Sequence, residues 1–160
     1  MPRGDFLKRF YQRYIWERGK ETYFISFIFF LLAIIFSRLI VLNVERGSRL
    51  FGFFYIKNYH IHHFYWGVII LIISHWLAII RYRRIYRRYF RAAMSVAFGI
   101  GLGLIVDEIG LFLTMEFGIK GDYWAPQSYY AMLLVSGIFL YFLLRGGKRG
   151  RETSSPVRAE

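Results

Sequence analysis

Three of the chain's four histidines lie within four positions, at His60, His62 and His63, where a long apolar run begins. Imidazole is the commonest metal ligand in proteins and is the side chain that most readily exchanges a proton near neutral pH. A carboxylate pair, Asp107 and Glu108, interrupts another apolar run. Ionisable side chains in such runs are costly in lipid, so they mark candidate functional positions.

Imidazole and carboxylate together predict a divalent-metal site for zinc or iron. The candidate ligands are His60, His62, His63, Asp107 and Asp122. A metal with one open position lowers the pKa of its bound water, and Glu108 is the predicted general base. Arg38, within the first apolar run, is predicted to hold an anionic group. This interpretation gives a metal-dependent hydrolase of a lipid or lipid-linked substrate.

Two other interpretations remain open. In one, Arg38 pairs with Asp107 or Glu108 in a structural ion-pair network. The chain is then a non-catalytic membrane subunit that meets a membrane partner or a second copy through its aromatic-rich first span. In the other, the protein is a proton or ion carrier, which needs a polar path across the whole membrane. The candidates for the inner half of that path are Ser74, His75 and Ser95.

Four apolar blocks must position these side chains: residues 23–44, 62–80, 92–115 and 129–144. A helix of about 20 mostly apolar residues crosses the hydrocarbon core of a bilayer. The predicted fold is therefore all-α, a four-helix transmembrane bundle spanning residues 23–144. Residues 1–22 are predicted to form a cytoplasmic interfacial segment, and residues 145–160 a flexible basic cytoplasmic tail. The chain has no cysteine, which excludes disulfides and thiolate metal sites.

The distribution of Lys and Arg predicts the orientation. Segments 1–22, 81–91 and 145–160 carry six, six and five of them, whereas the loops 45–61 and 116–128 carry three and one. The positive-inside rule places both termini in the cytoplasm, in a multi-pass protein of the cell membrane. Paired aromatic and basic faces predict an amphipathic N-terminal helix lying on anionic lipids of the cytoplasmic leaflet. Basic residues at membrane ends do not indicate nucleic-acid binding.

The helical rise predicts that the candidate residues meet at one level. At 1.5 Å per residue, His63, Asp107 and Arg38 lie about 27, 24 and 25 Å from the basic inner boundary. These heights place them just below the outer surface of the bilayer, and Glu108 follows directly. We therefore expect imidazoles of the second block and acids of the third to share a pocket.

Small residues predict which helix faces approach closely. Residues Gly99, Gly103, Asp107 and Gly110 form one stripe on the third block, and residues His63, Gly67 and Ser74 form another on the second. We expect the two stripes to face each other.

Several motifs follow one another in order: HHFYWG at 62–67, GIGLGLIVDEIGLFL at 99–113, DYW at 122–124, and a Ser-Tyr pair before the last block. This set resembles an uncharacterised family of small multi-pass membrane proteins of bacteria and archaea. The resemblance covers roughly residues 60–140. It implies a shared site at His62, His63, Asp107, Glu108 and Asp122, with no particular reaction. The family tends to carry an acidic residue after the Ser-Tyr pair, where this chain has Tyr130.

Overall fold

The computed structural model describes residues 3–47, 55–56, 59–80, 87–114 and 124–145. Within these ranges the α-helices are α1 (Arg3–Tyr11), α2 (Glu21–Glu45), α3 (His63–Ile80), α4 (Arg87–Asp107), α5 (Ile109–Thr114) and α6 (Pro126–Leu144). A π-helical segment, Gln12–Trp16, directly follows α1. Two short strands, β1 (Tyr55–Ile56) and β2 (Tyr59–His60), pair antiparallel ahead of α3.

Four of these helices are long and apolar enough to cross a membrane: α2, α3, α6 and residues 88–107 of α4. This confirms the predicted helical bundle with four candidate spans. The orientation, the membrane-surface location of the N-terminal helix and the boundaries of the three regions stay predictions. Nearly all of the predicted tail, from residue 146 onward, lies outside the described residues.

The outer faces of α3 and α6 are apolar and exposed in the isolated chain. Large side chains such as Ile72, Trp76, Leu133 and Leu134 are more than half exposed. A helix that is apolar on all sides is typical of a membrane span, where lipid covers the face that no neighbouring helix covers. The exposure of these two helices therefore agrees with a position in a bilayer.

Helix α4 packs against α2 on one side and α3 on another. A Cβ atom at Gly99 would collide with the carbonyl oxygen of Ser26, and one at Gly103 would lie 2.7 Å from the carbonyl oxygen of Phe30. Gly99 and Gly103 therefore face α2, and the prediction that these two glycines face α3 is wrong; Asp107 of the same predicted stripe does contact His63 of the other. Successive residues turn by about 100°, so Gly101 points away from Gly99 and is the glycine that meets α3.

The contact between α3 and α4 is a reciprocal approach of two glycines. A Cβ atom at Gly67 would lie 2.7 Å from the carbonyl oxygen of Gly101, and one at Gly101 would lie 2.9 Å from that of Gly67. The absence of both Cβ atoms lets the two backbones touch, as small residues do at membrane-helix interfaces. Helix α4 thus has two close-packed faces, one for each neighbour.

Aromatic packing joins α6 to α2. The buried residues Phe30, Val106 and Phe139 form one core cluster. The ring of Phe139 lies 5.6 Å from that of Phe30 and 5.4 Å from that of Phe27, measured between centroids. Since lipid is as apolar as these side chains, the contacts stabilise the bundle through van der Waals packing rather than through removal from water.

Lys20, just before α2, contacts the C-terminal end of α6. The residue is 4% exposed, and its Nζ donates to the carbonyl oxygens of Leu143 and Arg145. The last carbonyls of a helix lack partners within the helix, and the helix dipole favours a cation there. Lys20 therefore fixes the end of the last span to the start of the first.

The third apolar block is interrupted at Glu108. We predicted one helix over 92–115, whereas α4 ends at Asp107 and α5 begins at Ile109. At the break, the N–H of Leu111 bonds to the carbonyl of Glu108 over 3.1 Å, a tighter turn than an α-helix makes. The N–H of Gly110 donates to Ser128 Oγ over 3.0 Å. A hydroxyl from α6 thus enters the backbone hydrogen bonding at the break, which is a recognised cause of helix interruption.

Candidate functional site

The predicted cluster forms where α3 begins and α4 ends. His62 and His63 stand at the start of α3, and Asp107 and Glu108 stand at the end of α4. The side chains of both acids are fully buried. The expectation that imidazoles and acids of two spans share one location is confirmed by the direct contacts between them.

Asp107 accepts hydrogen bonds at both carboxylate oxygens. Its Oδ1 lies 2.5 Å from Nε of Arg38. Its Oδ2 accepts from the hydroxyl of Ser37 over 2.7 Å and lies 2.8 Å from Nε2 of His63. These are the short distances of charge-assisted hydrogen bonds. Asp107 therefore joins α4 to both α2 and α3.

Arg38 also contacts the backbone at the end of α4. Its Nη2 donates to the carbonyl oxygen of Asp107 over 3.1 Å. Its guanidinium carbon lies 5.1 Å from the ring centroid of Trp124 and 5.3 Å from that of Tyr129. A cation is favourable at a helix C-terminus and against aromatic faces. The predicted anion-holding side chain is therefore bound to the carboxylate of its own chain.

Glu108 caps the start of α3. Its Oε2 accepts a hydrogen bond from the backbone N–H of Phe64 over 2.7 Å. Its Oε1 lies 2.9 Å from Nδ1 of His62 and 3.4 Å from Nδ1 of His63. The first N–H groups of a helix lack intrahelical partners, and the dipole favours an anion there. A side chain that directly follows α4 thus provides the cap for α3.

The described polar side-chain atoms of this cluster form hydrogen bonds with one another. In the part of the chain that the structure describes, no buried side-chain nitrogen or oxygen lacks a hydrogen-bond partner. His63 is the central residue, since one ring nitrogen faces Asp107 and the other faces Glu108. A doubly protonated His63 ring would donate to both carboxylates.

The hydrogen bonds of the described residues differ from a metal coordination sphere. Two ligand atoms on one tetrahedral zinc ion lie about 3.3 Å apart, because each lies about 2.0–2.1 Å from the metal. Of the three imidazole–carboxylate pairs described above, two are 2.8 and 2.9 Å apart, and the third, between His63 and Glu108, is 3.4 Å apart. Among the described side chains, no group of three or more His, Asp or Glu residues is arranged to hold a metal ion. The zinc or iron prediction thus stays a prediction.

The side chains of two predicted ligands lie outside the described part of the chain. The backbone of His60 is described as part of β2, but its side chain is outside the described part, and Asp122 is outside it entirely. Sequence reasoning missed Ser37 and the N–H of Phe64. Ser37 had a visible signal, because it is the polar neighbour of Arg38 in an otherwise apolar run. The amide of Phe64 had no such signal in the sequence. Its N–H lacks an intrahelical partner only because α3 begins at His63.

No protein-family model matches this chain, and no curated protein or solved structure matches it. The resemblance described from the motifs therefore stays a prediction, and the function must be argued from the geometry.

Proposed function

We propose that this chain is a non-catalytic integral membrane subunit whose buried imidazoles, carboxylates and guanidinium form an ion-pair network. The network fixes the relative positions of α2, α3 and α4. The observation that carries this proposal is that all four carboxylate oxygens of Asp107 and Glu108 have partners within the chain.

The charges support the same proposal. Two carboxylates face one guanidinium and two imidazole rings. Ionisable groups within a membrane are tolerated where they face one another inside the bundle. The partners come from α2, from the start of α3 and from the end of α4, so the cluster forms only when these three helices are assembled.

The network specifies which helix ends meet. A buried ion pair adds little net stability compared with apolar residues of the same size, whereas loss of one partner is costly. Glu108 bonds to the first turn of α3, and Arg38 bonds to the last carbonyl of α4. A shift of either helix by one turn would leave a carboxylate unpaired in lipid. The cluster therefore selects one register of the three helices.

A second candidate function is the predicted metal centre, and one observation favours it. Nδ1 of His62 and Nδ1 of His63 both lie within 3.4 Å of the same oxygen, Oε1 of Glu108. If the protons between these three atoms were lost and the atoms moved slightly apart, two imidazole nitrogens and one carboxylate oxygen would form a donor set suited to zinc. Hydrolysis of a lipid-type substrate at such a centre, and the proton or ion carrier, stay predictions.

The test is metal analysis of the full-length protein, purified in mild detergent without chelator, together with thermal unfolding in the presence and absence of a chelator. The ion-pair network predicts less than stoichiometric metal and an unchanged unfolding temperature when chelator is added. One metal ion per chain, lost together with stability on chelation, would contradict the network and favour the metal centre.

The substitution His62→Gln separates the two candidates further. In the network, glutamine still donates to Glu108, so we expect a small loss of stability. In a metal centre, an amide is a poor replacement for imidazole, and metal content should fall steeply. His75→Gln is the matched control, because His75 is exposed on the same helix; it should change neither stability nor metal content.

A further inference from the structure

A cavity of about 190 Å³ lies at the opposite end of the spans, between the π-helical segment and the first turns of α2 and α4. Its lining includes Trp16, Glu21, Ile25, Arg88, Arg91 and Ser95. We infer that this cavity binds the headgroup of an anionic phospholipid, with the lipid phosphate at the two arginines. The inference goes beyond the proposed function and uses none of the residues of the ion-pair network.

The charge of the cavity favours an anion. Arg88 and Arg91 are three positions apart on α4, which places them side by side on one helix face. Glu21, the acidic residue among the described lining, forms an ion pair with Arg88 at 3.8 Å, which is longer than a direct hydrogen bond. Guanidinium groups bind phosphate oxygens through paired N–H donors. Among the described lining residues, two guanidinium groups against one carboxylate therefore give a net positive charge.

The depth of the cavity fits a headgroup. The candidate spans begin at Glu21 of α2 and at Arg88 of α4, so the cavity lies where the apolar spans meet the polar segments. The guanidinium of Arg88 stacks over the ring of Trp16 at 4.4 Å. Tryptophan is enriched at this membrane–water level. Ile25, one turn deeper in α2, gives the cavity an apolar wall on the side where an acyl chain would continue.

The size of the cavity favours one end of a long molecule. Pockets for whole drug-sized ligands measure about 300–1,000 Å³, whereas this cavity measures about 190 Å³. A phosphate with its neighbouring atoms needs less room than a complete metabolite. A phospholipid would place its phosphate here and leave its acyl chains beside α2 and α4 in the bilayer.

Lipid binding to the full-length protein in detergent, measured by native mass spectrometry, tests this assignment. Phosphatidylglycerol should bind more tightly than phosphatidylcholine, and the double substitution Arg88→Gln with Arg91→Gln should weaken phosphatidylglycerol binding roughly tenfold. The matched control is Arg46→Gln with Arg145→Gln, which removes two exposed charges outside both the cavity and the N-terminal helix. The control should keep the tight binding.

A second variant tests the cavity without changing charge. Ala92 lines the cavity, and Ala92→Leu should fill part of it and weaken phosphatidylglycerol binding while circular dichroism shows an intact helical fold. If the cavity and control double variants lost phosphatidylglycerol binding equally, the proposal would be overturned, since any two positive charges on the protein would then attract the lipid. Inorganic phosphate should not displace the lipid. Displacement by phosphate would show that a free anion, rather than a lipid, occupies the cavity.

Discussion

Arg38 and Asp107 are joined at two points, once through the carboxylate and once through the backbone. Nε of Arg38 lies 2.5 Å from Oδ1 of Asp107, and Nη2 donates to the main-chain carbonyl of the same residue over 3.1 Å. Arg38 therefore neutralises the acid and also caps the helix that the acid ends. One side chain of α2 thereby both balances the charge of Asp107 and caps the C-terminal end of α4.

The first prediction concerns this pair. Arg38→Met should lower the free energy of unfolding by about 3–5 kcal/mol, because it leaves the buried carboxylate of Asp107 without its cation. The double variant Arg38→Met with Asp107→Leu should recover much of that loss, because no unpaired charge remains. The measurement is reversible unfolding of the protein in detergent micelles. Arg46→Met, an exposed arginine just after α2, is the control and should have little effect.

A single variant Arg38→Met as stable as the parent would show that Asp107 does not depend on this guanidinium. Equal losses in the single and double variants would show that the two residues are not coupled.

The second prediction concerns the cap on α3. Glu108→Met removes the acceptor of the Phe64 N–H and should cost about 1–3 kcal/mol. Glu108→Gln keeps an acceptor oxygen and should cost less. Amide hydrogen exchange is the direct measurement, and the Phe64 amide should exchange faster in the methionine variant. Glu45→Gln, at an exposed carboxylate bonded to Trp124, should leave the Phe64 amide unchanged.

The third prediction concerns the glycines of α4. Gly103→Ala places a Cβ atom 2.7 Å from the Phe30 carbonyl oxygen and 2.8 Å from the Cβ of Ala33, so α2 and α4 must separate. We expect a loss of about 1–3 kcal/mol. Gly137→Ala on α6 meets nothing within 4 Å and should be neutral or should stabilise the helix by up to about 1 kcal/mol. Similar stabilities for the two variants would contradict the close packing of α2 on α4.

The fourth prediction concerns Lys20. Lys20→Met removes the donor to the carbonyls of Leu143 and Arg145, so the last turn of α6 should fray. Hydrogen exchange followed by mass spectrometry should show faster exchange at the end of α6, with the core of α4 unchanged. Arg18→Met is the control, because the exposed Arg18 stacks on Tyr14. Unchanged exchange at the end of α6 in Lys20→Met would show that the lysine does not hold it.

The fifth prediction concerns alkaline pH. Burial, and after it the nearby carboxylate of Glu21, raises the pKa of the Tyr11 hydroxyl above its ordinary value of 10.0. The folded protein therefore holds this proton more tightly than the unfolded chain does. The resulting stabilisation is complete below pH 10.0 and is lost as the pH rises through the higher folded pKa. Tyr11→Phe should show a smaller loss of stability above pH 10 than the parent, whereas the exposed control Tyr14→Phe should follow the parent.

The spans and the cluster could be predicted because each depends on a property that sequence spacing carries. Apolar length indicates the four helices, and helical rise places Arg38, His63 and Asp107 at one height. Their side-chain contacts confirm that the three residues share one level. Height alone does not give the rotation of a helix about its axis, so it could not show which glycine faces which neighbour.

The glycine faces and the break at Glu108 depend on long-range contacts. Both Gly99 and Gly101 belong to small-residue patterns, and only the position of α2 decides that the first meets α2 and the second meets α3. The interruption of the third span forms where Ser128 of α6 accepts the N–H of Gly110. A residue 18 positions away is involved, so local propensity could not indicate it.

The order in which the residues are synthesised gives the Arg38–Asp107 pair a consequence for biogenesis. A ribosome completes α2, with its cation, well before the two acids at the end of α4 emerge. Nascent membrane helices that carry carboxylates insert poorly by themselves, since each acid raises the cost of leaving the aqueous translocation channel. Because Arg38 precedes those acids in the chain, we expect their counter-charge to be in the bilayer before they arrive. On this expectation, α2 would aid the insertion of α4.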